Sequence, residues 1–204
     1  SLKPNQINIE GFNNNQTVFE EVQVISVSTD SIEFDKNKSK IIDLIQKYIP
    51  YHVFLCVYSS KEFVINICEK RINLNDSNRR TIEKSLVTEN ILINNETDIQ
   101  KTFLKDLSFE NIDKHDLKSL YDSFSKSIVA LQASNINGEF INRPIEQSKQ
   151  DLERLERSKK LENEILQLQN QAKKESQLNT QVKINSEVQF RRKEIELIKE
   201  KLKK

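Results

Sequence analysis

From Ile145 to Lys204 the chain runs for sixty residues without a glycine or a proline, and Glu, Lys, Arg, Gln, Leu and Ile dominate the stretch. Nothing there interrupts a helix, and the composition is that of a long helix or coiled coil. A heptad frame is legible in two pieces. Leu161, Ile165, Leu168 and Ala172 step by +4, +3, +4, and Ile184, Val188, Arg191, Ile195, Ile198 and Leu202 step by +4, +3, +4, +3, +4. The pieces are out of phase, and the slip falls in the polar run Lys173–Gln181 (KKESQLNTQ), where Ser176, Asn179 or Thr180 suits the cap of a new helix. Two architectures follow: an antiparallel helical hairpin with arms of roughly 40 Å, or one unbroken helix of about 90 Å that dimerises as a coiled coil. The Ile184–Leu202 seam is the expected partner-binding surface, through Ile184, Val188, Ile195, Ile198 and Leu202.

Glycine is scarce everywhere. Average usage of about 7% would supply roughly a dozen more than the two present, Gly11 and Gly138. A phosphate cradle needs backbone N–H groups unscreened by side chains, and neither G-x-G-x-x-G nor G-x-x-x-x-G-K-[ST] can be written with glycines 127 residues apart. Rossmann and P-loop enzymes are excluded.

The preceding 144 residues read as a small domain of different character. EEVQVISVS (Glu20–Ser28) is a β-rich run, preceded by a loop at Asn13–Thr17. Ile41, Ile42, Leu44, Ile45, Tyr48 and Ile49 sit at helical spacing until Pro50 stops them. YHVFLCVY (Tyr51–Tyr58) and EFVINIC (Glu62–Cys68), joined by Ser59-Ser60-Lys61, carry a hairpin signal. The order is β-α-β-β, so the first two strands are expected parallel and the third antiparallel. Asn73–Arg80 reads as a loop and Glu89–Asn95 as a short edge strand. A helix is expected from Thr97 or Asp98 through Leu107. Asp113 or His115 opens a longer one, whose stripe is Leu117, Leu120, Tyr121, Phe124, Ile128 and Leu131, with Gly138 at its C-terminal turn. The expected fold class is α+β: a mixed sheet with packed helices over 1–144, then a helical arm over 145–204.

Charge divides the chain in the same way. Residues 1–145 carry 17 basic and 20 acidic side chains, residues 146–204 carry 15 and 11. No apolar run approaches the roughly 18 residues of a bilayer span and no signal pattern opens the chain, so the expected setting is cytoplasmic, without membrane contact. Cys56 and Cys68 lie in apolar strands and read as reduced and buried. His52 and His115 are too few and too dispersed for a zinc site, and no metal or cofactor is expected. The chain contains no methionine, from which a start downstream of the natural N-terminus is expected.

Groups that suit chemistry are few. Glu69-Lys70 at a strand end has the residue types of a metal-dependent nuclease, but adjacent residues point to opposite faces of a strand. Lys70-Arg71 and Arg79-Arg80 suit phosphate contacts of a nucleic-acid-binding module, although an exposed basic strand end explains them as well. Asp113, His115 and Asp116 have the composition of a helix start, where carboxylates complement the dipole. In the arm, Lys159-Lys160, Lys173-Lys174 and Arg191-Arg192-Lys193 are interleaved with glutamates, the pattern of a solvated face.

Three stretches together are similar to an uncharacterised bacterial family defined by a domain of unknown function: LKPNQINI (Leu2–Ile9) running into the EEVQVI strand, IPYHVFL (Ile49–Leu55) with Lys70-Arg71, and LYDSFSKSIVALQASNINGEF (Leu120–Phe140) followed by KKESQLNTQVKINSEV (Lys173–Val188). The most specific positions are Gln132, Gly138 and Phe140, then Lys174, Glu175, Gln177, Asn179, Val182 and Asn185. His52 stands where a second proline is usual, and Glu69 where a histidine commonly precedes the Lys-Arg pair. The resemblance implies a small α/β part with a long helical C-terminus, and a basic segment some fifty residues upstream. It also implies genes encoded beside a Swi/Snf-type helicase, an adenine-specific methyltransferase and a restriction-type helicase. The resulting expectation is a non-enzymatic adaptor of a restriction–modification-like phage-defence system, bound through its arm to the helicase or methyltransferase or to a second copy. A nucleic-acid-binding module and a metal-dependent nuclease are the alternatives.

Overall fold

The computed structural model describes residues 1–76 and 79–203, so part of the loop expected over Asn73–Arg80 lies outside the described residues. The elements are α1 (Pro4–Ile7), β1 (Phe12–Asn13), β2 (Val18–Phe19), β3 (Val22–Ser28), α2 (Phe34–Tyr48), β4 (His52–Tyr58), β5 (Glu62–Ile72), β6 (Arg80–Val87), β7 (Ile91–Leu92), α3 (Asp98–Asp106), α4 (Leu117–Asn137), α5 (Ile145–Lys174) and α6 (Leu178–Lys203). They fall into two compact units, Ser1–Leu131 and Gln132–Lys204.

The first unit is built on a mixed sheet. β3 pairs parallel with β4, with Val22 opposite His52 and Ser28 opposite Tyr58. β4 pairs antiparallel with β5, and β5 with both β6 and β7. The β-α-β-β reading holds, because a helical crossover lays the second strand parallel to the first and a tight link returns antiparallel. One strand of this mixed sheet escaped the sequence reading. RTIEKSLV has charges at Arg80, Glu83 and Lys84 that break an alternating pattern, and only its ladder to β5 makes it a strand.

One face of the sheet is covered by α2. Phe34, Ile42, Val53, Leu55, Val57 and Val64 form a buried cluster, with Ile25, Val27, Ile41, Ile45 and Ile49 packed against it. The helix starts earlier than its obvious stripe, because Phe34 lies two turns before Ile41 and is fully buried. It stops at Ile49, whose extended backbone is what a residue before proline adopts. Phe124 and Tyr121 of α4 cover the opposite face, with the Phe124 ring 4.6 Å from that of Phe54. The α3 start is the expected one: Thr97 and Gln100 form a reciprocal capping box. At α4 the cap is Asp116, whose carboxylate accepts from Ser119 N at 2.7 Å, three residues past Asp113 and one past His115, the two expected openings.

The second unit is the arm, and it is a hairpin, not one continuous helix. Arg157 pairs with Glu194, and Glu164 with Arg191, so partners descend along α6 as α5 ascends. Its core is Leu161, Ile195, Ile198 and Leu202, with Ile136, Leu155 and Ile165 packed on it. Because Ile136 joins this core, the unit begins inside α4 instead of at residue 145. Gly138 ends α4 with φ +81°, the left-handed conformation that closes a helix, and its N–H donates to Ser134 O at 2.8 Å.

Candidate functional site

Lys70 is buried, only 2% exposed. Its ammonium donates to Ile49 O at 2.7 Å and Tyr51 O at 2.9 Å, the carbonyls that flank Pro50 between α2 and β4. A cation at the C-terminal end of a helix, satisfying carbonyls that have no intrahelical donor, is a structural clamp. Burial pushes its pKa down to about 8. The expected phosphate contact and the water-polarising nuclease role of Lys70 are both corrected by this geometry, since an ammonium sequestered between two carbonyls reaches neither.

Beside it the β4–β5 ladder opens. Cross-strand pairing ends at Phe54–Ile67, and the Tyr121 hydroxyl enters at the next position. It accepts from Cys68 N at 3.0 Å and lies 3.0 Å from Val53 O and 3.1 Å from Cys68 O, either of which can accept its proton. A side chain from α4 thus replaces a missing backbone pair, and its burial raises its own pKa. His52 packs in the same place, its ring stacked on Phe19 at 3.6 Å and edge-on to Tyr121 at 5.1 Å. Burial, and then the positive charge of Lys70, push its pKa down to about 3, against a hydrogen bond with the Lys70 backbone. It is a neutral core histidine. Cys56 and Cys68 are free thiols raised by burial, the opposite of a reactive cysteine.

The other basic candidates do not converge with Lys70. Arg71 pairs with Glu83 at 2.6 Å and the exposed Arg79 with Asp76 at 3.1 Å, while Arg80 Nη1 donates to Arg79 O at 3.2 Å. Among the described residues, no group of three or more His, Cys, Asp or Glu side chains is placed to hold a metal ion. A groove of about 510 Å³ opens between α2 and the β5–β6 side of the sheet. Its lysine, Lys38, is already held by Asp35 and Asn90.

On the arm, the expected partner seam is occupied. Val188, Ile195, Ile198 and Leu202 are buried and Ile184 is half-buried within the hairpin, so this chain's own α5 covers the surface a partner was expected to meet. A second stripe was missed by the sequence reading. Leu178, Val182, Phe190 and Leu197 are 56–72% exposed. At 3.6 residues per turn they share an arc of about 120°, directly opposite the seam. The +4, +8, +7 spacing was visible in sequence, but the cleaner +4, +3 seam masked it.

The family-motif positions gather at two places in the second unit. Gln132 lies within the last third of α4, and Gly138 and Phe140 follow its end. Lys174, Glu175, Gln177, Asn179, Val182 and Asn185 surround the hairpin tip. The tip is closed by Glu175, whose carboxylate accepts from Gln177 N at 2.8 Å and whose carbonyl accepts from Gln181 Nε2 at 2.6 Å. Gln177 O accepts from Thr180 N and Gln181 N to start α6. The turn residues are therefore Glu175 and Gln177 in place of the expected caps Ser176, Asn179 or Thr180.

The fold and these surfaces define a mixed α/β domain continued by a helical hairpin, in which among the described residues no helix is long and apolar enough to cross a membrane. The sequence model of the family described as Domain of unknown function (DUF4391) matches residues 1–195, and the chain belongs to that family. No curated protein and no solved structure matches it.

Proposed function

We propose that the chain is a non-enzymatic adaptor of a bacterial restriction–modification-like phage-defence system, and that its arm docks the helicase or methyltransferase of that system. The single observation that carries the reading is the outer stripe of α6. Four large apolar side chains on one helical face, opposite a face already buried, form a surface of the kind that marks a protein contact. The genomic setting implied by the resemblance supplies the partner class. The Lys70 clamp speaks against the nuclease alternative, which needs that ammonium beside a reacting water, and takes one of several cations from the nucleic-acid alternative.

The test is capture of the purified helicase and methyltransferase by the full chain. Phe190→Asp with Leu197→Asp should reduce capture at least tenfold while leaving helicity unchanged, since neither side chain lies in the hairpin core. Equal capture by wild type and variant, or capture of neither enzyme by wild type, sinks the proposal.

A further inference from the structure

The two edges of the sheet in the first unit are built differently. β6 is defended: it carries Arg80, Glu83 and Lys84, and its pairing with β5 is irregular at Glu69/Lys70. Charges and irregularities are what keep an edge from accepting another strand. β3, VQVISVS, has no charge, proline or glycine over seven residues, and its register with β4 is unbroken from Val22 to Ser28.

Which groups of β3 face outward follows from its bonds. Val22 N donates to Leu2 O at 3.0 Å and Leu2 N to Val22 O at 2.7 Å, an antiparallel bridge on the side away from β4. Backbone direction alternates along a strand, so Val24, Ser26 and Ser28 also present N–H and C=O outward. Thr29 N donates to Tyr58 O of β4, which agrees with that phase. Val24 is 54% exposed, Ser26 and Ser28 are exposed, and among the described residues nothing pairs with the backbone of these three. The edge is closed at Val22 by Leu2 and open only over 24–28.

We propose that this edge pairs with the same edge of a second copy, antiparallel, about a two-fold axis at Ser26. The open groups are symmetric about Ser26, so the pairing sets Val24 opposite Ser28 and Ser26 opposite Ser26, and makes about six main-chain hydrogen bonds. On the α2 face it sets Ile25 of one copy opposite Val27 of the other, so two β-branched side chains already packed on the core continue it across the axis. No charge lies within either strand to oppose the pairing. A longer strand of foreign origin would run into Leu2, whereas a second β3 has the same short open length. The contact uses no residue of the arm and stands or falls independently of the adaptor reading.

Light scattering of the full chain over a concentration series tests it, and the mass should approach that of two chains. Ser26→Pro removes only an outward N–H, which an edge strand tolerates, and should give a monomer with unchanged circular dichroism. Should that variant misfold, Ser26→Lys places two charges on the axis and should also give a monomer. Ser26→Cys should form a disulfide-linked dimer under oxidation, because directly hydrogen-bonded antiparallel residues lie about 5.5 Å apart, within disulfide reach. Ser28→Cys, which faces Val24, should not. A chain monomeric throughout, a dimer that survives Ser26→Pro and Ser26→Lys, or no preference for cross-linking at position 26 overturns the proposal. A dimer lost only with Phe190→Asp overturns it in favour of the arm.

Discussion

Lys70 and His52 are polar residues that the interior has put to structural use, and each leaves a signature in pH. Between the folded value of about 3 for His52 and the ordinary 6.5, the unfolded chain binds a proton that the folded chain refuses. Stability from this group is therefore fully present above pH 6.5 and is lost as the pH falls toward 3, by at most roughly 5 kcal/mol at 1.36 kcal/mol per unit. Lys70 acts in another window: with a folded value near 8 against 10.5, its contribution rises with pH between those limits. Urea midpoints measured from pH 7 down to pH 4 should fall steeply for wild type and less steeply for His52→Gln, which cannot gain that proton. Parallel slopes would show that His52 is not the titrating group. That these residues would be buried was only partly legible. His52 falls in the apolar run Tyr51–Tyr58, a sign of burial, but Lys70 read as a solvent-facing cation. Nothing local announces that the carbonyls flanking Pro50 will come within 3 Å of it.

At the scale of elements, the arm shows how a helix terminus is held. Arg143, just before α5, donates to Leu202 O at 2.9 Å and pairs with Asp151 at 3.0 Å, both side chains nearly excluded from solvent. Asp151 also accepts from Arg154 at 2.8 Å. The Arg143 guanidinium thus caps the last turn of α6, where the helix dipole favours a cation, and Asp151 offsets its burial. Asp151→Ala leaves that cation buried without its counter-ion and should destabilise the chain by about 3–5 kcal/mol, read as a shift of the urea midpoint without a change of slope. A shift no larger than that of an exposed substitution such as Glu146→Ala would refute the capping role. The arm helices, α2, β3, β4 and β5 were legible because their periodicities are local. β6 and the Arg143 cap were not, since a charged strand exists only through its partner and a cap joins residues fifty-nine apart.

For the whole molecule, the basic excess lies in residues 146–204, whereas the four basic residues singled out for phosphate contacts lie in the first unit. Of the four basic residues singled out for that role, Lys70 is buried, and Arg71 and Arg79 have acidic partners. Phosphate contacts bring a steep dependence on salt. The full chain should accordingly leave duplex and single-stranded DNA unshifted in a mobility assay at about 50 mM salt, a condition that favours such contacts. A shift that disappears with Arg79→Ala and Arg80→Ala would reinstate the nucleic-acid reading. Sequence alone determined the division into a mixed-sheet part and a breaker-free helical part, because side-chain periodicity and the placement of glycine and proline act within a few residues. Only the tertiary structure decided that the best apolar seam is consumed inside the chain, that a second stripe faces outward, that Lys70 points inward, and that one sheet edge is left open. Each of those depends on which surfaces meet, and burial is a property of the pair, not of either sequence segment.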